Sequence, residues 1–449
     1  MQRLACFKAY DVRGRVPDEI DARLARAIGS AYADFTGARR VVVGHDIRPS
    51  SPELADAVAD GLNAAGADVV DIGLCGTEHV YFATFHLGLG GGIMVTASHN
   101  PRDYNGLKLV REESRPISED TGLREIERRI VEERLGPLPG GGRRESMDVS
   151  ADYVRHVLGY VEARKLRPLK VVVNAGNGGA GHVIDQLEPH LPFEFVKIHH
   201  EPDGSFPHGV PNPLLPENRQ ATTAAVLAHR ADVGIAWDGD FDRCFLFDET
   251  GAFIEGYYIV GLLAASVLAR HPGGAVVHDP RLTWNTLEIV RQAGGRAVQS
   301  KSGHAFIKEV MRREDAVYGG EMSAHHFFRE FSYCDSGMIP WLLVLQRMCE
   351  SGLPLSALVG ERVARYPASG EINRRIADPR GALARVKARY AASALRVDEM
   401  DGVGIDFADW RFNLRLSNTE PLIRLNVETR GDRALLADKT DELLRLLES

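Results

Sequence analysis

The sequence predicts an α/β protein: three tandem α/β domains of similar topology, followed by a smaller C-terminal α+β domain. Three observations lead there. A length of 449 residues calls for about two to four domains. A β-branched strand, a polar loop, a helix and a second strand follow one another three times, starting at Arg40, Lys170 and Ala275. Beyond Pro367 no fourth unit of that kind is evident.

The first repeat reads VVVG, HDIRPS, a helix from Pro52 to Ala65, then DVVDIG. The second reads VVVN, AGNGG, a helix to about Leu191, then FEFVKI. The third reads VVH, DPRLTW, a helix to about Ala293, then RAVQS. Strands alternating with helices of this length imply βαβ units and mostly parallel sheets. Breaks are expected at the GPLPGGG run from Gly136 to Gly142, at the turn Thr250-Gly251 and near Pro367. The domains are therefore expected at 1–149, 150–251, 252–366 and 367–449. The last holds the strand-like WRFNLRL, a polar turn, strand-like LIRLNVET and a closing helix from Ala434 to Leu447.

Composition narrows the class. Apolar residues are 44% and charged residues 26%, as in folded soluble proteins. Lys plus Arg number 54 against 62 Asp plus Glu, so nothing favours nucleic acid as a partner. The five cysteines are scattered without metal spacing, which predicts free thiols in a reducing cytoplasm. The start, MQRLACFKAYDVRG, lacks the apolar core of a signal peptide. The apolar run Ile259 to Ala269 is about half a membrane span, so no membrane is expected either.

Four constellations carry chemistry. In GGIMVTASHNP an apolar strand runs into Ser98, with His99 adjacent and Lys108 ten residues on. Ligands to open α/β sheets bind at the carboxyl ends of strands. A serine there needs a base or a positive field to act as nucleophile or phosphoryl carrier. An ordinary loop serine beside an Asn-Pro turn fits the same residues. In DVGIAWDGDFDR a buried strand leads to Asp238, Asp240 and Asp242. In extended chain such positions point the same way. Three like charges there call for a cation, and oxygen ligands favour Mg2+ or Ca2+. An EF-hand is excluded because Arg243 stands where its glycine is needed. Arg243 suits a phosphate oxygen near the metal. The other reading is a solvated acidic turn.

In GGEMSAHHFF, Glu321, Ser323 and His325 alternate and suit sugar hydroxyls; polar alternation on a half-exposed strand is the plainer reading. In RLSNTEPLIRL, Arg415, Ser417, Asn418 and Thr419, with Arg424 on the next strand, form a plausible phosphate cradle. Surface arginines on a solvated turn would look alike. One rival comes from another class. The run Gly176 to Gly181 matches G-x-G-x-x-G between a strand and a helix, the mark of an NAD(P)-dependent dehydrogenase. Yet no acid clearly ends the next strand, where the sequence has Lys197-Ile198-His199-His200. Tight strand–helix packing explains the glycines better. A P-loop motif does not occur.

Taken in order, FKAYDVRG, TASHNP, DGDFDR, GEMSAH and RLSNTEP resemble the α-D-phosphohexomutases over nearly the whole chain, nearest to the bacterial phosphomannomutases and dual phosphomannomutase/phosphoglucomutases. The resemblance implies four domains around a central cleft. It implies a phosphoserine at Ser98, and Mg2+ held by Asp238, Asp240, Asp242 and the phosphoserine. Sugar contacts would come from Glu321, Ser323 and His325. Arg415, Ser417, Asn418, Thr419 and Arg424 would take the non-reacting phosphate. Tyr10, Arg13, His99, Lys108, Arg243 and His304 would support the site. Arg281 in HDPRLTW stands where some relatives have lysine. The implied reaction interconverts mannose 6-phosphate and mannose 1-phosphate through a hexose 1,6-bisphosphate, which would also serve as activator. Glucose phosphates are a second substrate, or the main one.

Overall fold

The computed structural model describes residues 3–132, 141–416 and 422–448. Residues 136–140 of the GPLPGGG run lie outside the described residues. The chain divides into two compact units. One comprises Met1–Phe253 and His325–Gly352; the other comprises Ile254–Ala324 and Leu353–Ser449.

The first unit holds two sheets. In one, Gly91–Val95, Arg40–His45 and Asp68–Leu74 run parallel, and Tyr104–Arg111 and Val12–Arg15 add antiparallel strands at one side. Val41, Val42 and Val43 are all buried, as expected of a parallel strand covered on both faces. The helices Ala22–Thr36 and Ser51–Ala64 lie close together: a Cβ on Gly29 would meet the Val58 carbonyl at 2.3 Å. Asp21 caps the first of these helices and left-handed Gly37 ends it. In the other sheet Glu194–Ile198, Lys170–Asn174 and Val233–Trp237 are parallel, and Cys244–Phe247 returns antiparallel. The acidic loop thus follows the carboxyl end of a parallel strand, as the Ser98 loop does.

The two sheets meet at a tight junction. The Phe241 ring packs on Gly76 and Gly179, where an added Cβ would come within 2.1 and 2.9 Å of it. This explains part of the 176–181 glycine run as packing. Thr77 opens the helix Thr77–His86 and donates its amide to the Asp240 carbonyl at 3.2 Å. Its neighbour Glu78 is fully buried and accepts a 2.5 Å hydrogen bond from the Tyr153 hydroxyl.

In the second unit Arg296–Gln299, Ala275–His278 and Tyr318–Gly320 are parallel. The apolar run foreseen at 259–269 is the buried helix Gly256–Arg270. Among the described residues no single helix is long and apolar enough to cross a membrane. The C-terminal part is a five-stranded antiparallel sheet, ordered Ile372–Arg375, Leu422–Thr429, Trp410–Leu416, Val403–Asp406, Arg396–Asp398. Two of these strands are the foreseen WRFNLRL and LIRLNVET. Phe412, Leu414, Ile423, Leu425 and Val427 share its core with Leu443 and Leu447 of the last helix. Fully buried Glu428 ties this sheet to the rest of the unit. It accepts from the Thr283 amide at 2.7 Å and from Arg411 at 3.0 Å.

Burial raises the Glu78 carboxyl from 4.5 to about 8, against the pull of its hydrogen bonds. The folded chain therefore keeps a proton that the unfolded chain releases. Stability is untouched below the unfolded value and falls as pH rises from there toward 8. Glu78→Gln should remove this slope, so its denaturant midpoint should drop less than the parent's between pH 5 and pH 8. Parallel pH profiles would refute the assignment.

Candidate active site

The acidic loop begins where the buried strand Val233–Trp237 stops. Asp238, Asp240 and Asp242 are all buried. They are not aligned along extended chain, as their spacing suggested. The Phe241 amide donates to the Asp238 carbonyl at 3.1 Å, and Phe241 is left-handed with φ 46°. A turn, stabilised by the buried Phe241 ring, gathers the carboxylates so that their oxygens lie within 4.8 Å of one another.

Ser98 sits three residues past Gly91–Val95 with φ 50°, a conformation uncommon for serine. Its amide donates to Thr96 Oγ1 at 2.9 Å. Its hydroxyl donates to Asp238 Oδ2 at 2.9 Å and lies 3.0 Å from His99 Nδ1. The Arg243 Nε donates to the same Asp238 oxygen at 2.8 Å, and its Nη2 reaches His99 Nδ1 at 2.7 Å. Burial, then Arg243 and Arg13, push the His99 imidazole well below its ordinary range, so it is neutral and accepts from Arg243.

Lys108 stands 2.6 Å from Asp240 Oδ2 and 2.6 Å from Asp242 Oδ2. Burial opposes its charge, but the two carboxylates outweigh that and raise its pKa. Asp240 is held low in turn: burial opposes ionisation, yet Lys108 and the Thr77 and Ser98 hydroxyls prevail. Asp238 goes the other way, because burial and its two acidic neighbours exceed the help of Arg243. Asp240 Oδ1 and Asp242 Oδ1 are buried without a hydrogen-bond partner. Orphaned buried carboxylate oxygens in an all-oxygen set fit a hard divalent cation. Nearby, Arg13 pairs with Asp11 and donates to Asn100 Oδ1 at 2.8 Å. Tyr10 is half-buried in the bend before Val12–Arg15. His325 Nδ1 is 2.9 Å from the carboxylate of fully buried Asp335.

The second unit holds a cationic cluster. Arg281 Nη2 donates to Asp279 at 2.8 Å and to Ser323 Oγ at 3.2 Å, and lies 3.5 Å from Glu321. Glu321 also accepts from the Gly303 amide at 2.7 Å, just before His304 starts the helix His304–Glu314. Glu371 sits amid three guanidinium groups: Arg415 at 3.0 Å, Arg281 at 3.4 Å and Arg424 at 3.4 Å. Burial opposes its charge, but Arg281, Arg415 and Arg424 together hold its carboxyl below the ordinary value.

Residues 5–136, 151–251 and 255–366 match the alpha/beta/alpha domains I, II and III of phosphoglucomutase/phosphomannomutase, and 371–446 match its C-terminal domain. The chain belongs to the phosphoglucomutase/phosphomannomutase family. A phosphomannomutase of Salmonella montevideo is 58% identical over 456 residues, covering 100% of both chains. A protein of Xanthomonas campestris named phosphohexose mutases is 61% identical over 444 residues, 99% of each. A crystal structure of a phosphoglucomutase/phosphomannomutase family protein from Burkholderia thailandensis superposes with a TM-score of 0.89 at 35% identity, covering 100% of this chain and 98% of that one.

Within this phosphohexomutase, the first unit brings together Ser98, His99, Lys108, Arg243 and the three aspartates. The second brings together Arg281, Glu321, Ser323, Arg415 and Arg424. Glu321, Ser323 and His325 are not an alternating strand. The segment is a loop with Ala324 at φ 72°; Glu321 and Ser323 lie in the second unit, and His325 in the first. Ser417, Asn418 and Thr419 lie outside the described residues. Sequence reading missed Thr77, whose hydroxyl donates to Asp240 Oδ2 at 2.5 Å, and also Asp335 and Glu371. No motif marks these residues; only the folded chain brings them to their partners.

A divalent cation should therefore bind once in the first unit, displacing Lys108 from the carboxylates. Titration calorimetry with Mg2+ or Mn2+ should give one site. Asp240→Asn should weaken it about tenfold or more, since one of three converging charges is lost. Unchanged affinity would move the site elsewhere.

Proposed function

We propose that the protein is a phosphomannomutase, an isomerase that interconverts mannose 6-phosphate and mannose 1-phosphate and also acts on glucose phosphates. One observation carries the reading. Ser98 Oγ is held 2.9 Å from Asp238 beside the neutral His99 and Arg243, on a chain related throughout to phosphomannomutases. Ser98 is the phosphoryl carrier. Its phosphoryl group passes to the free O1 or O6 of a hexose monophosphate, breaking the Oγ–P bond and forming the sugar O–P bond. The sugar hydroxyl gives up its proton. The bisphosphate then returns its other phosphoryl group to Ser98.

Asp238, Asp240, Asp242 and the phosphorylated serine would hold Mg2+, which supplies neutralisation of charge on the transferring group. Arg243 adds donors to the same oxygens, the kind of fixed electrostatics that supplies most of phosphoryl-transfer catalysis. Lys108, His99 and His304 are the candidates to move the hydroxyl proton. Lys108 is held by two carboxylates until a bound cation frees it, and His99 Nδ1 accepts from Arg243. His325, its Nδ1 2.9 Å from the Asp335 carboxylate, adds a sugar contact. Arg415 and Arg424 hold the non-reacting phosphate, Ser417, Asn418 and Thr419 are its further contacts, and Glu321 and Ser323 address sugar hydroxyls. A hexose 1,6-bisphosphate is the activator that first loads Ser98.

Mixing the protein with glucose 1,6-bisphosphate should yield a species about 80 Da heavier, the mass of a transferred phosphoryl group in this chemistry, located at Ser98. Folded Ser98→Ala should lose at least about a thousandfold in kcat, as removal of a covalent carrier does. Full activity in that variant would end the phosphoserine reading.

Mannose and glucose phosphates differ only at C2. The substrate must bind in two orientations, which works against a pocket moulded to one ring face. A site that does not bond the differing hydroxyl discriminates weakly. The kcat/KM values for mannose and glucose 1-phosphates should thus agree within roughly a hundredfold. A mannose preference above about 10⁴ would require a buried polar group reading O2 and would remove the dual specificity.

A further inference from the structure

The loop HDIRPS after the strand Arg40–His45 contains an arginine that the proposed chemistry does not use. Arg48 is 1% exposed. Its two terminal nitrogens donate to four backbone carbonyls: Ser98 at 3.0 Å, Asn100 at 2.6 Å, Pro101 at 2.7 Å and Tyr104 at 3.0 Å. All four lie between Ser98 and the first residue of the strand Tyr104–Arg111. Phe206 covers the guanidinium, its ring centre 5.2 Å away. Behind it, fully enclosed Asp46 accepts from Arg48's own amide at 3.0 Å, from Ser51 Oγ at 2.5 Å and from Thr96 Oγ1 at 2.7 Å. Ser98 is therefore gripped at both ends of its peptide unit: its amide by Thr96 and its carbonyl by Arg48, both anchored on Asp46.

Burying a guanidinium is costly unless its donors are met, and an apolar side chain would fill this space without that cost. The second unit carries the same motif. There His278-Asp279-Pro280-Arg281 ends a strand as His45-Asp46-Ile47-Arg48 does. Arg281 N donates to Asp279 Oδ1 at 2.9 Å, matching the 3.0 Å bond of Arg48. His45 pairs in register with Val95, and His278 with Gly320. Ser98 and Ser323 each lie three residues further on. In one copy the arginine reaches side chains. In the other it is given over to the main chain around Ser98.

We propose that Arg48 is a positioning residue for phosphoryl transfer: its fork fixes the left-handed turn that aims Ser98 Oγ at the acidic loop. This rests on the phosphoserine reading above. Arg48→Lys tests it, because one ammonium cannot hold four carbonyls. With mannose 1-phosphate, kcat should fall about a hundredfold, the cost of a displacement near one ångström, while KM stays within about threefold. Loading of Ser98 by glucose 1,6-bisphosphate, followed by intact mass, should slow in parallel. Wild-type kcat and loading rate in a folded Arg48→Lys protein would overturn the proposal, as would a lowered melting temperature with both rates intact. If wild-type protein itself never gains the phosphoryl mass, the phosphoserine reading fails instead. Should Arg48→Lys not fold, Asp46→Asn is compared with Thr96→Val, since the first loosens both grips on Ser98 and the second only the grip through Thr96. A fall in kcat at constant KM about tenfold larger in Asp46→Asn than in Thr96→Val supports the role, and equal kcat values in the two variants refute it.

Discussion

Three buried carboxylates within 4.8 Å of one another repel strongly where little water screens them, and much of the first unit is arranged around that repulsion. Lys108 spans two of them and Arg243 takes the third. Thr77 and Ser98 add hydroxyl donors. Each comes from a different part of the chain. Lys108 stands on an antiparallel strand, Thr77 at a helix start, Ser98 on a left-handed turn and Arg243 just past the loop. The acidic loop therefore acts as a hub that the two sheets close upon. Phe241 supplies the apolar half of that closure by filling the space that Gly76 and Gly179 leave open.

The second unit solves the opposite problem. Arg281, Arg415 and Arg424 converge, and one buried acid, Glu371, keeps them together. Deeper in the same unit, Arg411 and Glu428 form a buried pair that also bonds main-chain groups of residues 280, 281 and 283. Arg281 is thus held at its backbone by a neighbour and at its side chain by Asp279. Such doubly held side chains lose little further freedom when a ligand arrives.

Much of this was legible beforehand, for a physical reason in each case. The valine runs at 41–43, 171–173 and 276–277 announce covered parallel strands, and the strands are there. The aspartate cluster was visible because like charges at short spacing need a partner. Its shape was misjudged because periodicity assumes regular backbone, whereas buried Phe241 takes the chain into a turn. The short strands Ile372–Arg375 and Arg396–Asp398 escaped notice because they are rich in arginine and barely alternate. Thr77, Asp335 and Glu371 were invisible for a different reason. Thr77 and Glu371 owe their importance to partners 163 and 44 residues away, Asp335 owes its to His325 across an irregular turn, and no local pattern encodes such meetings.

Glu371 has a consequence for which anions the protein tolerates. With its carboxylate in place, the three arginines are partly neutralised before any ligand arrives. A stray chloride or a singly charged metabolite gains little by entering, because it must displace an acid already bonded to the same nitrogens. On the proposed reading, a doubly charged phosphate has more to offer each guanidinium, and one attached to a sugar would bring hydroxyls for Glu321 and Ser323 as well. On that reading the internal acid would set a threshold of charge and contact without any moving part.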